Sequence, residues 1–427
     1  MAENKAYHWL KLILRGIGTI VLFVLALVVI FLLLISIPAV QRSVAKYAGQ
    51  FATEQLGAEV RIGSIYVQPL GPIVLKDIYV GDLRNDTLFA VGTLKVKGIG
   101  IDADANTINL NAFELENGRF ALAIAADDEH SNLTNLFAQF KDDDTTTTAE
   151  IWTIRANRFV IDGLHFSFHD ARVPIKPFGI DFSHVDVNKA SLAGYELAVI
   201  GDSITAHLEQ FSLRERSGFR VDQLTGIANV SGSGIIIDSL ALRTPVTSVE
   251  GRMQFSSENW SAYSRFIDEV MIRVDLKPSR LDFADISYFA PELEGVHFPI
   301  DVQGNIRGTI SELKGRNLDI AFGERSIFRG SAELSGLPDI ENTFMLLDLD
   351  ELLTDHQDLA QLPAPPFISG DRLKVPQELK ELGTIKFRGN FTGFIRSFTA
   401  YGVANTAIGG MRTDISFERD TLRKDFS

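Results

Sequence analysis

The run from Ile108 to Ile124, INLNAFELENGRFALAI, decides the fold. Ile108, Leu110, Phe113, Leu115, Phe120, Leu122 and Ile124 alternate with polar or small residues. A period of two belongs to a β-strand with one wet and one dry face. The slip between Leu110 and Phe113 reads as a bulge, and Asn117-Gly118 reads as a tight hairpin turn. Upstream, Val60 with Ile62, Ile78 with Val80 and Leu94 with Val96 keep the same period. Downstream it returns at Ile154, Phe159, Ile161, Phe166 and Phe168, then from Phe219 to Leu242, and in runs to Gly402. Gly232-Ser233-Gly234, ahead of Ile235-Ile236-Ile237, is a further hairpin turn.

A loose repeat links two of these stretches. Phe113-x-Leu115 is followed by Gly118 and Phe120, and Phe159-x-Ile161 by Gly163 and Phe166. Each unit reads strand, glycine turn, strand, which predicts an elongated antiparallel sheet built from successive hairpins. Within it Phe113, Leu115, Phe120, Leu122, Phe159, Ile161, Phe166 and Phe168 share one face and are expected to line a concave, partly open apolar surface. Helices are accents. Val40, Val44, Tyr47, Phe51 and Leu56, with Ala48 and Ala52, predict an amphipathic helix that stops at Gly57. Leu133, Leu136, Phe137 and Phe140 predict a short one, and Glu351–Leu362 another. The expected fold class is mostly β.

Ahead of the sheet, Gly16 to Ser36 reads GIGTIVLFVLALVVIFLLLIS, without a charge. At about 1.5 Å per residue this run spans about 30 Å, the hydrocarbon thickness of a bilayer. Gly16, Ile17, Val21, Leu22, Phe23, Leu27, Phe31, Leu34 and Ser36 mark an uncleaved transmembrane anchor, since a signal peptide has a shorter apolar core and a small-x-small site. Lys5, Lys11 and Arg15 before it, against Arg42 and Lys46 after it, place the N-terminus in the cytoplasm. The expected organisation is a cytoplasmic tail (1–15), the anchor (16–36), a juxtamembrane helix (37–57) and a β-rich region across the membrane (58–427).

Composition narrows the function. A net charge of −14 argues against a nucleic-acid partner, which calls for a basic stripe. The absence of cysteine excludes disulfides and thiol chemistry. Thirty Phe against eight Tyr and three Trp devote the aromatics to purely apolar surface. His165 and His169 stand four apart, but on a strand that is about 13 Å, too far to share an ion. They alternate with Phe166 and Phe168 and so take the wet face. Asp142-Asp143-Asp144 lacks the ligand alternation of a calcium loop. Asp348, Asp350, Asp355, His356 and Asp358 are expected to solvate the outside of the third helix. No cofactor, metal site or catalytic motif is expected.

Several segments resemble the AsmA/TamB superfamily: the anchor, then Pro38-Ala39-Val40-Gln41, then Leu56-Gly57-Ala58-Glu59-Val60-Arg61-Ile62-Gly63. Val74-Leu75-Lys76-Asp77-Ile78-Tyr79-Val80 with Asp86-Thr87-Leu88 resembles the TamB-like proteins of Bacteroidetes. So do Ser217-Gly218-Phe219-x-Val221, Leu240-x-Leu242-Arg243-Thr244-Pro245 and Phe398-Thr399-Ala400-Tyr401-Gly402. The resemblance implies a curved, taco-shaped β-groove that shields acyl chains between membranes. It implies residence in the bacterial inner membrane with the bulk in the periplasm, and phospholipid transport toward the outer membrane or support of outer-membrane protein assembly and secretion. Implied partners are the bilayer, lipid acyl chains and an outer-membrane barrel factor of the TamA type. The family's C-terminal domain is not evident, which implies an N-terminal fragment. The alternative is an anchored β-rich scaffold or adhesion module without a conduit.

Overall fold

The computed structural model describes residues 37–418 except 69–70, 139–151, 202, 259, 365–366 and 368–370. The expected cytoplasmic tail and anchor, Asp142-Asp143-Asp144 and Phe140 lie outside the described residues. Helix α1 (Pro38–Leu56) starts with a proline in its first turn and ends where Gly57, at φ 63°, donates its N–H to the Thr53 carbonyl. Both ends follow from local chemistry: proline needs no intrahelical partner there, and glycine tolerates the left-handed cap.

Strands follow in chain order. They are β1 (Val60–Val67), β2 (Ile73–Gly81), β3 (Thr87–Asp102), β4 (Thr107–Ile124), β5 (Thr153–Asp170) and β6 (His184–Ile200). Next come β7 (Ser203–Glu215), β8 (Arg220–Ser231), β9 (Gly234–Arg243), β10 (Ser248–Ser256), β11 (Met271–Asp282) and β12 (Pro299–Gly308). The last six are β13 (Glu312–Phe322), β14 (Ser326–Ser335), β15 (Phe344–Thr354), β16 (Ile385–Phe394), β17 (Ser397–Thr406) and β18 (Gly409–Glu418). Each pairs with its sequence neighbours, so all 18 form one sheet. Gly232 and Ser233 form the turn expected between β8 and β9.

One junction departs from the expected chain of hairpins: β4 and β5 run parallel. Parallel neighbours need a long crossover. The described part of the connection after β4 includes helix α2 (Asn132–Ala138), whose Leu136 is buried against Leu88 and Ala58 with Phe120, Leu122 and Leu133 around them.

The turns expected at Asn117-Gly118 and Gly163 are not turns, because β4 and β5 continue through both. They belong instead to a crease across five strands. The registers set Gly63 against Asp77, Asp77 against Gly92, Gly92 against Asn117, and Asn117 beside Gly163. Asp77, Asn117 and Gly163 have φ of 53°, 56° and 68°. Glycine opposes the side chains because a Cβ on Gly63 would meet that of Asp77 at 2.9 Å, and one on Gly92 would meet that of Asn117 at 3.3 Å. A left-handed residue inside a strand resets which face the next side chain takes. A Cβ on Gly118 would accordingly touch Leu115, three residues away, instead of pointing to the other face.

The helix expected over 351–362 is also corrected. Strand β15 runs to Thr354, and only one helical turn, His356–Leu359, follows. Asp358 does not solvate it. The carboxylate is 1% exposed and accepts hydrogen bonds from the amides of Glu324, Arg325 and Ser326 and from the Ser326 hydroxyl, at 2.8–2.9 Å. It closes the β13–β14 turn from the end of the neighbouring strand, β15.

Candidate functional site

The eight apolar residues singled out above come together. Parallel pairing sets Phe113 beside Phe159, Leu115 beside Ile161, Phe120 beside Phe166 and Leu122 beside Phe168. Side chains level with each other on adjacent strands share a face. The rings of Phe113 and Phe159 stack at 6.0 Å, those of Phe120 and Phe166 lie 5.9 Å apart, and Phe89 meets Phe120 edge-on at 6.4 Å. The seven-residue spacing seen in sequence is thus the distance across the crease, which both strands cross at one level. Phe159 is buried, its ring lying over Gly194, while the other seven are half-buried.

The row does not stop at these strands. Ile65, Leu75, Leu94, Leu115, Ile161, Leu192, Phe211, Leu224, Leu242 and Val249 stand level on β1 to β10. In the last third, Val302, Ile320, Phe328, Leu352, Phe387, Ala404 and Met411 continue level from β12 to β18. Phe211, Leu224, Leu242 and Val249 belong to one packed cluster with Leu240 and Val221.

The opposite face is charged. Lys95 bonds Glu116 at 2.7 Å and Glu114 at 3.3 Å. Farther along, Arg329 bridges Asp319 and Glu351, and Lys386 reaches the same Glu351. Exposed pairs of this kind are screened by water and add little stability, so their consequence is a wet surface more than a stable one. His165 Nε2 lies 3.1 Å from Asp186, and the His169 ring packs on His184 at 4.5 Å. Among the described residues no cluster of three or more His, Asp or Glu is arranged to hold a metal.

Sequence reasoning missed a strap. Residues 171–183, between β5 and β6, reach the segment after β11: the Ile180 N–H donates to the Tyr288 carbonyl at 2.7 Å, and Phe178 stacks on Tyr288. Phe182 stacks at 5.3 Å on Phe266, which packs on Phe255 of β10. The strap is held at its foot by Asp181, 1% exposed, which accepts from the amides of Lys176 and Ser183 and bonds His184 Nδ1 at 2.9 Å. No period marks the strap, so only its isolated phenylalanines could have flagged it.

At the other end an open cavity of about 1070 Å³ lies between α1 and the start of the sheet, with Gly49, Thr53, Arg61, Asp77, Tyr79 and Asn117 among its walls. Among the described residues no helix is long and apolar enough to cross a membrane. No protein-family profile, curated protein or solved structure matches the chain.

Proposed function

We propose that this chain is a membrane-anchored, non-enzymatic carrier whose apolar sheet face forms a curved groove for lipid acyl chains. In this reading it acts in the bacterial cell envelope, in phospholipid transport toward the outer membrane or in support of outer-membrane protein assembly and secretion beside a barrel factor of the TamA type. The carrying observation is the level apolar row from Ile65 to Val249, most of its phenylalanine-rich neighbourhood half-buried, backed by a charged opposite face. All the described strands belong to one ladder, so no separate second sheet is available among the described residues to cover the apolar face. The strap supports curvature. Phe255 is level with Val199 at the far end of β6 from Phe182, yet Phe266 bridges the two rings. A flat sheet would hold them far apart.

A half-buried apolar face this long is an aggregation liability unless it is occupied. Burying an acyl chain gains about 0.8 kcal/mol per methylene, which offsets the exposure of several phenylalanines. Lipid mass spectrometry of the detergent-extracted chain should find bound phospholipid. Photo-crosslinkers at Phe120 and Phe166 should give lipid adducts, and Phe120→Asp or Phe166→Asp should abolish them while the sheet stays folded. Adducts to protein alone, or unfolding of both variants, would mean a sealed core, where a buried unpaired carboxylate is not tolerated. For topology, a phosphatase reporter fused after Gly57 should be active. Activity of a cytoplasmic reporter at the same point would reverse the orientation.

A further inference from the structure

We infer that α1 lies in the interfacial layer of the bilayer, its Val44, Tyr47 and Phe51 and the preceding Ile37 facing acyl chains while its other side carries the sheet. The burial of α1 is the reverse of its hydrophobicity. Against β1 it buries Gln41, Ala45 and Gly49, and Thr53 Oγ1 accepts the Val60 N–H at 2.9 Å. A Cβ at Gly49 would stand 3.1 Å from the Val60 carbonyl, so only a small-residue side fits that closely. The large apolar side chains point elsewhere: Ile37, Val44, Tyr47 and Phe51 are 44%, 48%, 73% and 65% exposed.

At about 100° per residue these four, with Val40, fill a sector of about 80°, centred about 120° from the buried side. One helix can therefore touch the sheet and a second surface together. That surface is a bilayer on two grounds. The stripe begins at Ile37, the residue after the uncharged Gly16–Ser36 run, so it starts where that run would leave the membrane. In a chain of net charge −14, residues 37–53 contain no carboxylate, and the two cations, Arg42 and Lys46, stand about 140–180° from the stripe, so no charge lies on the side given to acyl chains. Aliphatic residues with Tyr and Phe on one side of such a helix are the make-up of an interfacial element.

The inference rests on reading Gly16–Ser36 as membrane-spanning, and the test separates the two. The chain has no cysteine, so single-site labelling needs no background removal. Full-length Tyr47→Cys, Phe51→Cys, Gln50→Cys and Leu27→Cys variants, labelled with bimane, are placed in phosphatidylcholine–phosphatidylglycerol nanodiscs containing brominated lipid. Labels at 47 and 51 should be quenched several-fold more than at 50, and the label at 27 strongly. Quenching at 27 with none above the Gln50→Cys level at 47 and 51 would overturn the interfacial helix and leave the anchor standing. No quenching at 27 would overturn both. Disulfide-linked dimers of unlabelled Tyr47→Cys, with 47 and 51 unquenched, would assign the stripe to a second copy and sink the inference.

Discussion

Asp358 shows how one carboxylate holds distant chain together. Burial works against its charged form, but the amides of Glu324, Arg325 and Ser326 and the Ser326 hydroxyl outweigh that and hold its pKa below the usual carboxylate value. Asp181 is similar: burial opposes its charge, and the amides of Lys176 and Ser183 with the His184 side chain overcome it. A depressed folded-state pKa stabilises the protein above the unfolded value of about 3.9, and that contribution is lost as pH falls through the lower folded value. The urea midpoint of the wild type should therefore drop below about pH 4. Asp358→Asn should cost about 3 kcal/mol at pH 7, and its deficit should shrink over the same acid window. A deficit that stays constant down to pH 2 would show that charge at Asp358 is not the cause.

At the scale of elements the crease is the informative feature. Left-handed backbone costs an ordinary residue about 1–2 kcal/mol and a β-branched one more. Asn117→Gly should keep or slightly raise the thermal midpoint, whereas Asn117→Val should lower it by the equivalent of about 2 kcal/mol. Gly63→Val should also destabilise, since its Cβ would press on that of Asp77. Equal midpoints for Asn117→Gly and Asn117→Val would mean that the left-handed conformation does not matter to the sheet. Asparagine followed by glycine signals the left-handed region equally well for a hairpin turn and for a strand that bends and continues. The choice is made by partners far away in sequence, here Gly92 and Gly163, and a local reading does not contain them.

On the scale of the whole molecule the two edges of the sheet differ. Helix α1 lies against β1, whereas β18 carries Met411, Ile415 and Phe417 about half exposed, with no strand on its outer side among the described residues. An apolar edge strand is a template for another chain. The detergent-solubilised protein should associate with rising concentration in light scattering, and Met411→Lys with Ile415→Lys should suppress that. A wild type that stays monomeric across the range would mean that the edge is already blunted.

What the sequence determined by itself is what short-range chemistry controls. Period-two alternation specified strands with one dry face, Gly57 ended α1, and the spacing within Phe113–Leu122 and Phe159–Phe168 marked the two stretches as equivalent. Tertiary structure alone decided that those stretches are parallel neighbours, that their glycines are a crease, that Phe182 meets Phe266 across the face, and that Asp358 is buried. The outward turn of Val44, Tyr47 and Phe51 was equally out of reach, because hydrophobic spacing names a stripe but not what covers it. In each case the deciding term is a hydrogen bond or close contact between one element and another, and the free energy of such a contact leaves no local period to read.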